Sequence, residues 1–181
     1  MVLSSEEAAL FFKLMLPLQF FVNGKLGILP KAKTFKKYVA ASMNDKYKVR
    51  NALFENTNLI DEFIDENPHD IPLKELASAA QWKNFMRGDF YVERHLKSGS
   101  IFISEDDKVY QVLGLTDSID KFCPSYTLPT RVNAILLPFQ NQIIHDGFLA
   151  PYNVYFGSGI KRDLKEIYTK AKQKGKIIKA L

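Results

Sequence analysis

Residues 131–157 read Arg131-Val132-Asn133-Ala134-Ile135-Leu136-Leu137-Pro138-Phe139, then Gln140-Asn141-Gln142-Ile143-Ile144-His145-Asp146-Gly147-Phe148-Leu149-Ala150, then Pro151-Tyr152-Asn153-Val154-Tyr155-Phe156-Gly157. The stretch is rich in β-branched and aromatic residues, and Asp146-Gly147 stands between the apolar pairs Ile143-Ile144 and Phe148-Leu149. An Asp-Gly pair flanked by apolar runs is the usual chemistry of a two-residue hairpin, because both residues tolerate the positive φ that the turn demands. This stretch is therefore expected to form the centre of an antiparallel sheet, turning at Asp146-Gly147.

Upstream of it, residues 89–96, 100–104 and 108–115 are short, β-branched and aromatic, and are separated by Lys97-Ser98-Gly99 and Glu105-Asp106-Asp107. They read as three strands of a meander. Residues 122–129, with Pro124 and Pro129, read as a crossing loop. Residues 1–87 have helical periodicity instead. Ser4-x-x-Glu7 has the form of a capping box ahead of Leu10, Phe11, Leu14, Met15, Leu18, Phe21 and Val22, with Pro17 inside the run and Asn23-Gly24 as its stop. Shorter helices are expected around Phe35–Val39, at 47–54, after a cap at Asn58, and from Pro72 to a stop at Gly88. Downstream, Ser158 can cap a helix with the apolar stripe Leu164, Ile167, Tyr168 and Ala171, closed by Gly175. The fold class is α+β: a helical region at 1–87, and at 88–181 an antiparallel sheet of five to six strands with a basic C-terminal helix, the two sharing one core.

A chain of 181 residues, 46% of them apolar, is long enough to bury a core of its own. Its single cysteine, Cys123, can form no internal disulfide and no multi-cysteine metal site, so a cytoplasmic location is expected. The apolar run at 8–22 is preceded by Glu6 and Glu7 and interrupted by Lys13, which suits a buried helix better than a membrane span or a signal peptide. The wide apolar face of that helix could complete its burial against a second copy, giving a homodimer. Charge is unevenly spread. Residues 25–50 hold eight bases and one acid, residues 55–75 seven acids and one base, and residues 159–181 eight bases and two acids. The first two blocks can offset each other, whereas the last has no counterpart nearby in sequence.

Several constellations could carry chemistry. His145-Asp146 has the composition of a general base with its orienting carboxylate, although strand neighbours point to opposite faces, which favours a turn. Cys123 with His95 or His145 lacks any nucleophile signature. Glu105-Asp106-Asp107 could take a hard cation but suits a solvated hairpin tip, and His69, His95 and His145 lack zinc spacing, so neither a metal nor a cofactor is expected. Gly157-Ser158-Gly159-Ile160-Lys161-Arg162 opens a helix, where Ser158, Gly159, Lys161 and Arg162 could hold an anion without P-loop spacing. Lys165, Lys170, Lys172 and Lys174 could contact a nucleic acid or protein partner, with Tyr91, Tyr110, Tyr152 and Tyr155 available to stack bases. Trp82 is expected to wedge between the helical and sheet regions.

Trp82-Lys83 to Gly88-x-Phe90, Tyr110-Gln111-Val112-Leu113-Gly114-Leu115, Leu128-Pro129, Leu136-Leu137-Pro138-Phe139 and Ile143-Ile144-x-Asp146-Gly147 together resemble the pattern of a family of bacterial proteins with no assigned activity. The resemblance implies that these segments belong to one fold, and implies a tyrosine at the position of His145. Two functions follow from the sequence: a non-enzymatic binding or regulatory module that meets a protein or nucleic acid through its basic C-terminal helix and sheet rim, or an enzyme or sensor for a small phosphorylated ligand at the 157–162 turn.

Overall fold

The computed structural model describes all residues from Met1 to Leu181. It is α+β, with six α-helices and one five-stranded sheet. Two compact units emerge, one of Glu6–Lys83 and one of Met1–Ser5 with Asn84–Leu181. No helix is long and apolar enough to cross a membrane.

The first unit is helical. Helix α1 (Ser5–Leu26) runs through Pro17 and past Asn23-Gly24, the expected stop. Its end is set instead by Gly27, at φ 64°, whose N–H reaches the carbonyl of Asn23 at 2.8 Å. The Asn23 side chain, buried, receives the Leu29 N–H at 2.7 Å, so this asparagine fastens the following loop where a helix stop was expected. Along the apolar face of α1, Phe11, Leu14, Met15, Leu18 and Val22 are buried, and Leu10 and Phe21 are half-buried.

Helices α2 (Phe35–Val39) and α3 (Met43–Glu55) begin at Thr34 and Ser42, whose hydroxyls accept the N–H groups of Lys37 and Asp45. Helix α4 (Asn58–Glu66) is preceded by Thr57, which makes no side-chain cap bond; Asn58 lies inside the helix and donates to Glu62. The acids of α4 meet cations: Lys25 pairs with Glu66 and Glu62 at 2.7 and 3.1 Å, and Lys83 holds Asp61 at 2.8 Å. Helix α5 (Leu73–Ala80) gives way to a 3-10 turn, Gln81–Asn84, and the expected stop at Gly88 falls inside a strand. Trp82 is buried within this helical unit, its ring edge-on to Phe11 at 5.6 Å.

The second unit is a closed barrel. Strands β1 (Met86–Leu96), β2 (Gly99–Ser104), β3 (Val109–Leu113), β4 (Thr130–Phe139) and β5 (Gln142–Pro151) close in the order β1-β2-β3-β5-β4. A meander whose fourth strand returns beside the first is a Greek key. Strand alternation sends Phe90, Val92, Phe102, Tyr110, Val112, Val132, Ala134, Leu136 and Ile143 to one shared core, with Phe90 and Tyr110 edge-to-face at 6.1 Å. The β3–β4 connection, which carries 3-10 turns at Ile119–Lys121 and Ser125–Thr127, adds Ile119 and Cys123 to this core.

The hairpin of the opening stretch lies elsewhere than Asp146-Gly147. Gln140 and Asn141 take φ values of 49° and 60° and form the two-residue turn, and β5 continues through Asp146-Gly147. Two left-handed residues match the right-handed twist of paired strands. Asp146-Gly147 forms a bulge: the step from Leu136 to Ala134 on β4 is matched by the step from His145 to Leu149 on β5, and Gly147, at φ 101°, absorbs the excess.

Closure is thinnest between β3 and β5, which run parallel and pair only at Val112 with Ile143 and Leu113 with Ile144. Past β3 the chain turns so tightly that a Cβ on Gly114 would lie 2.2 Å from the backbone oxygen of Asp117. Gly114→Ala is therefore expected to cost roughly 1–3 kcal/mol in urea unfolding. Gly24→Ala, in α1 with nothing within 4 Å of the new methyl, should instead gain about 0.5–1 kcal/mol. Equal effects at the two sites would contradict this reading.

Candidate functional site

Helix α6 (Ser158–Gln173) lies along the outside of the barrel. Leu164 and Tyr168 are buried against Ile101, Ile103 and Val109, the outward residues of β2 and β3, with Ile167 and Ala171 packed at the margin. Arg94 stands 3.9 Å above the Tyr168 ring and pairs with Glu93. The helix ends at Gly175, at φ 63°, where the Lys176 N–H turns back to the carbonyl of Ala171 at 2.8 Å. The reversed chain then fills the part of the β3 edge that β5 leaves open. The Ile178 N–H donates to the Val109 carbonyl at 2.8 Å, and the Gln111 N–H donates to the Ile178 carbonyl at 2.9 Å.

Between α6, the start of β3 and this returning segment lies an open groove of about 620 Å³. Its floor is Val109, Ile167, Ala171 and Ile178, and its rim carries Lys108, Lys170, Lys174 and Lys176 with Asp107. Lys108 is engaged by Asp106 at 2.8 Å and Lys170 loosely by Glu166 at 3.6 Å, whereas no carboxylate pairs with Lys174 or Lys176. Asp106, bonded first to Lys108 and then to Ser104, is held below the usual carboxylate range, and Lys108 is raised in turn.

The lysines expected to act together divide in two. At about 100° per residue, Lys170 and Lys174 fall on the flank of α6 that carries Ile167, and Lys161, Lys165 and Lys172 fall on the opposite flank. The 157–162 turn lies at the far end of the helix, since thirteen residues from Lys161 to Lys174 span about 20 Å. Gly157, not Ser158, is the N-cap and makes no side-chain cap bond; Ser158, Gly159 and Lys161 are exposed, and Arg162 is turned onto Asp163 at 3.2 Å.

The residues with catalytic composition are spent within the barrel. His145 faces inward opposite Leu136, and the adjacent Asp146, also buried, accepts from the Phe148 N–H at 3.3 Å. His145 Nδ1 accepts the Gly147 N–H at 3.1 Å, so the proton sits on Nε2, which has no partner; the nearest ring is Phe122, edge-on at 6.5 Å. Burial pushes its pKa down to about 4. Cys123 is buried, its thiol pushed up to about 11 by desolvation, and His95 Nε2 bonds its backbone carbonyl at 2.8 Å while Nδ1 meets the Ser100 hydroxyl at 2.7 Å. His95 thus clips the β3–β4 connection to β1 and makes no nucleophile pair with the sulfur.

The tyrosines also separate. Tyr110 is inside the barrel and Tyr91 packs edge-on to Phe156 at 5.4 Å; Tyr152 and Tyr155 are exposed. Tyr152 belongs to a polar set that sequence alone does not disclose. Both oxygens of Asp89 are taken, by Asn133 at 2.7 Å, by the Tyr152 hydroxyl at 3.0 and 3.1 Å, and by Arg131 at 2.8 Å. These bonds, that of Asn133 first, hold Asp89 below its ordinary pKa, and Tyr152 is raised by its bond to Asp89. Arg131 also reaches Glu105 at 2.6 Å, so two of the three acids at 105–107 are engaged, Glu105 by Arg131 and Asp106 by Lys108. Beside this set is a second hollow of about 240 Å³ lined by Phe122, Pro151, Tyr152 and Tyr155 among others, with no charged residue in its lining.

No family model, curated protein or solved structure matches the chain. Helix α6 covers the outer face of β2 and β3.

His145 supplies a test of the barrel core. A folded-state pKa below the free value of 6.5 means that the unfolded chain takes up a proton which the fold excludes. The resulting stability is complete above about pH 6.5 and is lost as pH falls through about 4, to the extent of roughly 3 kcal/mol. Urea unfolding of His145→Phe should lose that much less stability than the parent between pH 7.5 and pH 4. An identical loss in both proteins would refute the assignment.

Proposed function

We propose that this chain is a non-enzymatic binding module that engages an anionic partner through the C-terminal half of α6 and the adjoining rim of β3. The observation that carries the reading is the groove whose apolar floor is rimmed by Lys108, Lys170, Lys174 and Lys176, two of them without a carboxylate partner. Cations gathered at an unneutralised rim raise the local concentration of anions and speed their encounter. The state of the catalytic candidates agrees with this: His145 and Asp146 form no acid–base pair, and the Cys123 thiol is buried with a raised pKa.

Fluorescence anisotropy with labelled poly-glutamate and labelled single-stranded DNA, at 50 and 200 mM salt, tests the proposal. Binding of a polyanion should weaken as salt rises. The triple variant Lys170→Glu, Lys174→Glu, Lys176→Glu should lose about tenfold or more in affinity. The triple variant Lys161→Glu, Lys165→Glu, Lys172→Glu makes the same change of net charge on the opposite flank and should lose far less. Equal losses would mean that net charge alone is responsible, and no binding of either polyanion would overturn the proposal.

A further inference from the structure

We infer that the occupant of the lysine-rimmed groove is an acidic amphipathic segment of a protein partner, with apolar side chains on the groove floor and carboxylates on its rim. The inference rests on the proposed binding role of α6 and names the partner's chemistry. Four apolar residues from three chain segments, Val109 of β3, Ile167 and Ala171 of α6, and Ile178 of the returning tail, make a continuous hydrophobic floor. A floor of this kind contributes affinity only when the ligand brings apolar surface to cover it.

The lysines stand on more than one wall. Lys170 projects from α6 and Lys174 from its C-cap, whereas Lys108 stands just ahead of β3 and Lys176 on the tail. A ligand that satisfies both walls carries negative charge on both sides of an apolar stripe. A helix with apolar residues at i, i+4 and i+7 and Glu or Asp between them has that pattern, and helix-in-groove docking is the recognition mode that uses it.

A single-stranded nucleic acid fits less well. Its bases seek aromatic faces to stack on, and the groove lining contains none. The exposed aromatic residues Tyr152 and Tyr155 line the other, uncharged hollow instead. The stacking surface and the cationic surface of this unit are thus separate, whereas single-strand binding needs them together. At about 620 Å³ the groove has room for a few side chains of one segment.

The test compares two labelled 15-residue peptides of equal acidity, one with Leu and one with Ser at the i, i+4, i+7 and i+11 positions and Glu between, by anisotropy on the full chain. The Leu peptide should bind about tenfold or more tightly than the Ser peptide. Ala171→Phe fills the floor while leaving every lysine in place. It should bring the two peptides to within about threefold of each other.

If the two peptides bind the wild type equally while poly-glutamate binds, the groove inference falls and the anionic-partner reading stands. If neither peptide, nor poly-glutamate, nor single-stranded DNA binds, both fall. Displacement of the Leu peptide by substoichiometric single-stranded DNA would reassign the groove to nucleic acid, and displacement by phosphatidylglycerol vesicles would reassign it to lipid. Either result overturns the inference. The wild-type peptide comparison decides the matter even if Ala171→Phe fails to fold.

Discussion

The two backbone hydrogen bonds between Ile178 and the first half of β3 determine how the rest of the barrel unit is arranged. Strands β3 and β5 meet at only two residue pairs, so the edge of β3 at Val109 and Gln111 would otherwise present unpaired backbone groups at the seam. The C-terminal segment supplies the missing partners. To reach that edge from the end of β5, the chain must cross the outside of β2 and β3 and then reverse. Helix α6 makes the crossing and Gly175 the reversal. Burial of Leu164 and Tyr168 on Ile101, Ile103 and Val109 follows from that path. The lysine-rimmed groove is the space left between the crossing helix, the strand and the returning tail.

Electrostatics then sorts the charged residues. Wherever the barrel places opposite charges on one outward face they neutralise one another, as Asp89, Arg131 and Glu105 do, with Asn133 and Tyr152 completing the hydrogen bonding of Asp89. In the helical unit, Lys25 and Lys83 relieve the repulsion between acids spaced four apart on α4. Lys174 and Lys176 belong to no such set. Their charge is not needed to balance the fold and is available to a partner.

Much of the architecture could be read from the sequence because it rests on local periodicity. The helices of the first 80 residues, the meander of β1 to β3 and the amphipathic stripe of α6 follow from apolar spacing that tertiary contacts reinforce. The turn in the opening stretch could not be placed in this way. Asp146-Gly147 has better hairpin chemistry than Gln140-Asn141, and it is the pairing of Leu136 with His145 that puts the turn early and makes Gly147 a bulge. Asn23 likewise has the composition of a helix stop and serves as a buried clamp on the following loop. The basic helix was legible as a candidate surface, but its division into two flanks and the choice of Lys170 and Lys174 over Lys165 and Lys172 were not. That choice depends on Ile178 returning to β3, and nothing in the composition of residues 176–181 marks them as a strand. The Asp89 set was hidden for the same reason, since it assembles across strands far apart in sequence.

The claim that the C-terminal return builds a binding surface is tested most directly by NMR chemical-shift mapping of the full chain titrated with poly-glutamate at low salt. The account predicts that the shifts concentrate on the amides of Lys108, Lys170, Lys174 and Lys176 and on the methyl groups of Val109, Ile167 and Ile178. Shifts centred on residues 158–165, or on Tyr152 and Tyr155, with those groups unmoved, would contradict it.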